Sequence, residues 1–444
     1  MKSFHGGVHP DDSKKYTAAK PIETAPLPEK VIIPLRMHIG APVSPVVKKG
    51  DTVKKGQLIA RSDAFVSGNI HASISGKVAE IADYPHSVFG SSMSIVIESD
   101  GMDAWAEGIP VQRQWEKLDA KELAGIIREA GIVGMGGATF PTHVKLAPPP
   151  DKKIDTFILN GSECEPFLTA DYRSMLEYAE RIVTGVEIAM KVLGVNTGYV
   201  GIEDNKPDAV KALQDAFNGT RVKVVALPTK YPQGAEKMLI VMLTGREVPS
   251  GGLPMDVGTV VQNVGTVIAI SDAVTKGIPL IERVLTVSGS AVKEPKNLLV
   301  RIGSTFADAL NLCGGLGSEL VKIISGGPMM GFAQSTMDVP VIKGTSGILF
   351  LNKKDVNYGK ESACIHCGRC VEACPMGLNP SMLSVLGERR LYEEAKEEYS
   401  LLDCMECGSC VYVCPAKRNI VQYIRYAKAQ NAIQAQKEKA KVAV

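Results

Sequence analysis

The chain has 444 residues, enough for about three or four domains. Hydrophobic residues make up 45% and charged residues 22%, the balance of an ordinary globular protein. A formal net charge of +2 and only 5% aromatic residues argue against a nucleic-acid binder, which would need a basic surface and stacking rings.

The opening MKSFHGGVHPDD has no apolar run behind basic residues, so no secretory leader is expected. No run reaches the ~18–20 apolar residues of a membrane span. The best candidate, residues 257–274, is broken by Gln262, Asn263 and Asp272. Any membrane attachment is expected to come through partners. Residues 43–60 (VSPVVKKGDTVKKGQLIA) and 72–81 (ASISGKVAEI) are short β-runs joined by Lys-Gly turns, which predict hairpins. They resemble the barrel-sandwich fold of lipoyl and biotinyl domains. Such domains carry a modifiable lysine at a hairpin tip; the corresponding SDAFVSGNI has none, so a structural role is expected.

LDAKELAGIIREA (residues 118–130) has the apolar spacing of an amphipathic helix. GIVGMGGATFPTHVKL follows, with Gly134, Gly136 and Gly137 able to bring backbone amides close to a ligand. The loop follows a helix instead of a strand, so it is not a Rossmann fingerprint. IDTFILN reads as a strand running into GSECEP, with Glu163 and Glu165. TGYVGIED, KPDAVKALQDAF, VKVVALP and GAEKMLIVMLTG then alternate strand and helix, which predicts a doubly wound parallel sheet. Ligands bind such sheets at the carboxyl ends of strands, where Asn160, Glu163, Glu165 and YPQGAE (residues 231–236) fall. RVLTVSGSAVKEP predicts a strand and turn, and STFADALNLCGG a helix. Met329 and Met330 in GGPMMG read as packing residues, and Cys164 and Cys313 as small buried hydrophobes.

Eight of the ten cysteines lie in CIHCGRCVEACP (364–375) and CMECGSCVYVCP (404–415). Both follow C-x2-C-x2-C-x3-C-P, the bacterial ferredoxin run, in which the fourth Cys ligates the other cluster. The expected ligand sets for two [4Fe–4S] clusters are Cys364, Cys367, Cys370 and Cys414, and Cys404, Cys407, Cys410 and Cys374. Structural zinc, which favours two Cys pairs across a longer loop, fits this spacing poorly. PSMLSVLGERRLYEEAKEEYSLL between the motifs reads as helical. His366, inside a cluster loop, reads as a bystander. Seven Lys or Arg against one Glu after Pro415 read as a solvated, frayed basic tail.

GMGGATFPTHVK, NGSECEP, YPQGAE and VQNVGT, in that order, resemble the flavin loops of the NADH-oxidising flavoprotein subunit of respiratory complex I. With FHGGVHP and the double cysteine module, nearly the whole chain resembles the C subunit of the Rnf complex, a membrane-bound ferredoxin:NAD oxidoreductase that couples electron transfer to ion translocation. The resemblance implies a multidomain α/β chain. Its parts would be an N-terminal extension and barrel-sandwich β-domain (1–115), a doubly wound α/β FMN/NADH domain (116–280), a β-grasp domain (281–352), a helical two-cluster ferredoxin module (353–425) and a basic tail (426–444). It implies that Gly134, Met135 and Gly136 line the flavin, that Lys145 meets the flavin or its phosphate, and that Asn160 and Glu163 hydrogen-bond the flavin. Glu165 would face the nicotinamide and Phe140 stack near it. Tyr231, Gly234 and Glu236 would close the pocket, and Asn263 would hold the phosphate end. Glu165, Phe140 and Lys145 are thus the expected catalytic residues. The implied cofactors are FMN, NAD(H) and two [4Fe–4S] clusters. The implied partners are the integral membrane and iron–sulfur subunits of the complex, with ferredoxin reached through one of them, at the cytoplasmic face of the membrane. Met135, Ala235, Ser162 and Gln262 depart from the complex I pattern. Two rival readings follow: a soluble flavin/iron–sulfur reductase of the cobalamin-reductase kind, and an electron-wire subunit whose flavin pocket is degenerate.

Overall fold

The computed structural model describes residues 3–356 and 359–442; the last two residues of the expected basic tail lie outside them. Residues 3–24 form a strap that crosses the later domains and joins none of the sandwich strands. Its end, β1 (Ile22–Thr24), pairs in parallel with the third domain, Ile22 opposite Asn297. The first domain follows: β2 (Lys30–Pro34), β3 (Ser44–Pro45), β4 (Thr52–Val53), β5 (Leu58–Arg61), β6 (Ile70–His71), β7 (Gly76–His86) and β8 (Gly90–Ser99). They make one sheet of order β2-β8-β7-β4 and another of order β3-β5-β6, as the hairpin signals predict. Alternation along β2 and β8 sends Val31, Ile33, Ile95 and Ile97 inward. The tip that could have borne a lysine is docked. The Phe65 carbonyl lies 2.9 Å from His143 Nε2, and the Asn69 carbonyl accepts from Lys343 Nζ at 2.6 Å.

The second domain comprises α1 (Ala120–Glu129), α2 (Thr142–Lys145), β9 (Thr156–Asn160), α3 (Ala170–Glu177), α4 (Ala179–Leu193), β10 (Thr197–Glu203), α5 (Pro207–Ala216), β11 (Val222–Leu227), α6 (Glu236–Thr244), β12 (Thr259–Asn263) and α7 (Val264–Lys276). A capping box starts α1: Asp119 accepts from the Glu122 amide at 2.8 Å, and Glu122 accepts from the Asp119 amide at 2.7 Å. The sheet is wholly parallel, in the order β11-β10-β9-β12. The chain winds outward from β9 to β11 and then crosses back to β12. The order reverses between β9 and β12, where Asn160 stands opposite Asn263. That is the switch point at which open α/β sheets receive ligands. One face packs Phe157 and Leu159 against α4 and α7, and the other packs Ile158 and Val261 against α6.

The third domain holds β13 (Glu282–Ser288), β14 (Lys296–Arg301), α8 (Phe306–Leu312), β15 (Lys322–Ser325), β16 (Phe332–Gln334) and β17 (Gly347–Leu351). Its mixed sheet runs β1-β14-β13-β17-β15-β16, and α8 packs Phe306 and Leu310 beneath it.

The fourth domain is an internal repeat. Each cysteine motif turns at a left-handed glycine, Gly368 (φ 77°) or Gly408 (φ 80°), into one helical turn, α9 (Arg369–Glu372) or α12 (Ser409–Tyr412). A longer helix follows Cys-Pro in each half. The segment between the motifs is two helices, α10 (Pro380–Glu388) and α11 (Tyr392–Glu397), parted at Arg390 with φ 62°. The tail corrects an expectation. It forms α13 (Ile420–Val442), which buries Ile420, Val421, Ile424 and Ala427 against α10 and is exposed over residues 432–438. Among the described residues no helix is long and apolar enough to cross a membrane.

Candidate functional site

None of the ten cysteines is paired in a disulfide. Eight of them line two cavities in the fourth domain. Cys364, Cys367, Cys370 and Cys414 border one, and Cys374, Cys404, Cys407 and Cys410 border the other. The fourth cysteine of each motif thus sits with the other motif's triad. Among the described residues no three or more Cys, His, Asp or Glu converge tightly enough for a single metal ion. Four thiols spread around a cavity fit a cubane better than a mononuclear tetrahedral ion. The surroundings are apolar, and burial pushes the Cys404 thiol up to about 11.

At the switch point of the second domain, Asn160 and Asn263 close β9 and β12. Asn160 Nδ2 donates to the Gly234 carbonyl at 2.8 Å. Asn263 Oδ1 caps α7 by accepting from the Gly265 amide at 2.8 Å, and its Nδ2 donates to Asp171 at 2.6 Å. Lys145 Nζ lies between Glu236 (2.8 Å) and the Val261 carbonyl (3.1 Å). Gly136 is exposed and tight against Asn263: a Cβ there would come within 2.7 Å of Asn263 Nδ2. The glycine loop is closed by the Gly134 amide on the Phe140 carbonyl at 2.9 Å. Nearby, the buried Gln262, Gln233 and Ser162 carry side-chain polar atoms without a partner among the described residues. Exposed glycines, a lysine, two strand-end amides and orphaned buried polar atoms fit a phosphate-bearing flavin. Met135 is buried, and its side chain packs against Gly265 beneath the loop.

The carboxylates of the acidic loop are held by backbone amides. The Glu163 carboxylate accepts from the Asp171 and Tyr172 amides at 2.7 and 3.0 Å, stabilising the start of α3. The Glu165 carboxylate accepts from the Met329 and Met330 amides at 3.0 and 2.8 Å. Both are engaged by backbone amides because the loop folds inward under two buried ammonium groups. Lys14 Nζ donates to the carbonyls of Glu163, Glu165 and Leu168 at 2.8, 3.0 and 2.6 Å. Lys206 Nζ donates to the Ser162 carbonyl at 2.7 Å and to Glu203 at 3.1 Å. Burial and the Glu163 charge push the Asp171 carboxyl up to about 7.

Burial likewise pushes the Glu165 carboxyl up to about 7 from 4.5. A raised carboxyl binds its proton more tightly in the folded chain. Its effect therefore lowers stability as pH rises from about 4.5 to about 7, by about 3 kcal/mol in all. Glu165→Gln should remove that decline, so melting curves of variant and parent should diverge in the variant's favour across this window. Parallel curves would mean that Glu165 ionises as freely as in water.

Tyr231, expected to close the pocket, directs its hydroxyl onto the Cys407 carbonyl at 2.6 Å, beside Glu165. Burial raises its phenol far above the ordinary range, so it stays a donor. Lys14, Lys206 and Asp171 were not singled out from the sequence. The one available signal was Lys206 just ahead of Pro207 at the start of α5, where a cation opposes the helix dipole.

Family models match along the chain: an RnfC barrel sandwich hybrid domain over residues 2–102, a Nuo51 FMN-binding domain over 127–272, an SLBB domain over 284–333 and a 4Fe–4S dicluster domain over 357–415. The chain is 73% identical over 441 residues to the C subunit of the proton-translocating ferredoxin:NAD(+) oxidoreductase complex of Clostridium ljungdahlii, covering 99% of this chain and 96% of that one. It is 51% identical to the C subunit of the Na(+)-translocating ferredoxin:NAD(+) oxidoreductase complex of Acetobacterium woodii, covering 98% of each. It is 44% identical to the C subunit of the ion-translocating oxidoreductase complex of Rhodobacter capsulatus, over 86% of this chain and 74% of that one. With four matched domains in sequence and near-complete coverage, the chain belongs to the family of C subunits of the Rnf-type ion-translocating ferredoxin:NAD+ oxidoreductases, peripheral electron-transfer subunits with an FMN domain and a 4Fe–4S dicluster domain.

Proposed function

We propose that this chain exchanges electrons between NAD(H), at the ends of β9 and β12, and two [4Fe–4S] clusters held by the thiol sets Cys364, Cys367, Cys370, Cys414 and Cys404, Cys407, Cys410, Cys374. The observation that carries this reading is the sorting of eight thiols, four and four, around two cavities beside an FMN-type domain. Gly136 and Gly137 present backbone to the flavin without a side chain in the way. Lys145 supplies a positive charge, steered by Glu236. Asn160 and Asn263 present amides at the switch point. Phe140 and Gly234 flank them, while Glu163, Glu165 and Tyr231 set the loops from behind.

FMN, when bound, exchanges a hydride with nicotinamide and single electrons with iron–sulfur clusters. The overall balance is NADH → NAD+ + H+ + 2e−, with the electrons leaving singly through the cysteine-lined side and the proton going to solvent. The reverse operates when ferredoxin is the donor, and ferredoxin is reached through another subunit. The chain sits on the cytoplasmic face of the membrane, where NAD(H) is available.

Anaerobic isolation with iron, sulfide and flavin quantified together tests this, alongside NADH oxidation with an artificial acceptor. Iron–sulfur protein that binds no flavin and leaves NADH untouched would replace it with the electron-wire reading. Gly136→Val should weaken flavin binding by at least ~10-fold, about 1.4 kcal/mol, with iron content unchanged. Flavin retained at the parent level would remove Gly136 from the site.

A further inference from the structure

The FHGGVHP element has no part in the sites above, yet it lies between them. The Gly7 amide donates to the Ala373 carbonyl at 2.9 Å, one residue before Cys374. Val8 and Tyr231 exchange both backbone hydrogen bonds, at 2.8 and 2.9 Å. The Tyr231 hydroxyl then reaches the Cys407 carbonyl at 2.6 Å. Residues 4–10 thus touch the flavin-domain loop directly. They meet the cavity of Cys374, Cys404, Cys407 and Cys410 at two of its four cysteines, one of them through Tyr231.

Only glycine fits at the centre. Gly6 has φ +65°, and a Cβ there would fall 2.7 Å from the Cys374 carbonyl group. Gly7 has φ +79°, and a Cβ there would fall 2.6 Å from the Tyr231 carbonyl oxygen. Backbone therefore meets backbone with no side chain between. The seam is dry: Phe4, Val8, Tyr231, Ala373 and Cys407 are all buried. Lys230 fastens its edge, donating to the Phe4 carbonyl at 2.7 Å while lying 4.5 Å over the Phe4 ring. The other thiol-lined cavity opens outward, with Cys367 exposed and Ile365 65% exposed.

We propose that residues 4–10 are a positioning element that fixes the contact between the flavin domain and the Cys374/Cys404/Cys407/Cys410 cavity, and so sets how fast electrons cross it. This rests on the functional reading above. No bond is made or broken in the segment. NADH oxidation to NAD+ and H+ releases two electrons, which would cross this contact one at a time and reduce two [4Fe–4S] clusters held by the eight thiols by one electron each, while the proton leaves to solvent on the flavin side.

The test uses the full chain, loaded anaerobically with clusters and flavin, and rapid mixing with NADH. Flavin bleaching and the cluster paramagnetic signals are followed separately. In Gly7→Ala, iron, sulfide and flavin content and the bleaching rate should match the parent. Cluster reduction should slow by about tenfold to about a hundredfold, the scale of an ångström-level misplacement. The spectrum of one cluster should change and the other stay fixed. Lys230→Met should slow the same step, and Lys230→Arg should restore it. Should Gly7→Ala fail to fold, the Lys230 pair decides. Parent-rate cluster reduction in Gly7→Ala, or in Lys230→Met where that pair decides, overturns the proposal. A parent chain whose flavin NADH does not bleach would instead refute the functional reading, before any variant is made.

Discussion

Cys374→Ala should cost the chain the cluster whose other three ligands lie in the second motif, although Cys374 itself belongs to the first. Its place in the cavity with Cys404, Cys407 and Cys410 is the reason. Iron should fall by roughly half, because a cubane deprived of one thiolate in a buried site loses a bond that no water can replace well. The pairing can be read by combining variants. Cys374→Ala with Cys404→Ala should lose no more iron than either alone, since both strike one cluster. Cys374→Ala with Cys414→Ala should lose nearly all of it, since the two strike different clusters. Additive loss in both pairs would instead assign each cluster to a single motif.

Lys206→Met should destabilise the chain by about 3–5 kcal/mol. The Lys206 and Glu203 side chains are only 1% and 2% exposed. Removing the ammonium leaves the buried Glu203 carboxylate with only a long 3.4 Å hydrogen bond from the Lys230 amide and strips the Ser162 carbonyl of its donor. Burial already pushes Glu203 upward, so without Lys206 it would take up a proton before it stayed charged. Glu203→Leu combined with Lys206→Met should recover part of the loss, because a matched apolar pair avoids desolvating charge altogether. Chemical denaturation of the full chain measures both. A double variant less stable than Lys206→Met alone would show that Glu203 contributes through other contacts.

What could be read from the sequence is what is encoded locally. The cysteine spacings, the strand–helix alternation of residues 154–245 and the helical apolar spacing of residues 118–130 are each carried by neighbouring residues. They anticipated a parallel sheet with Asn160 at the carboxyl end of a strand; that Asn263 closes the neighbouring strand opposite it emerges only from the fold. The tail helix was also legible. Residues 432–442 are rich in Ala, Gln, Lys and Glu, strong helix formers, and the expectation of a frayed end gave charge more weight than propensity. The roles of Glu163, Glu165 and Tyr231 were not legible. Each depends on a partner far away in the chain: Lys14, the Met329–Met330 amides and the Cys407 carbonyl. A lysine buried under three carbonyls has the same one-letter neighbourhood as a solvated one. Only the tertiary fold distinguishes them.

The strap has a consequence for biosynthesis. Residues 4–24 are made early, but their hydrogen-bond partners include Leu168, Tyr231, Asn297 and Ala373. At ~5–20 residues per second, Gly7 waits roughly 20–70 seconds for Ala373 to be translated. The barrel-sandwich and flavin domains can settle during that interval, whereas the strap cannot close until the first cysteine motif has emerged. Its closure therefore falls among the last events of maturation, at about the stage when Cys404, Cys407 and Cys410 of the inner cavity are themselves being translated.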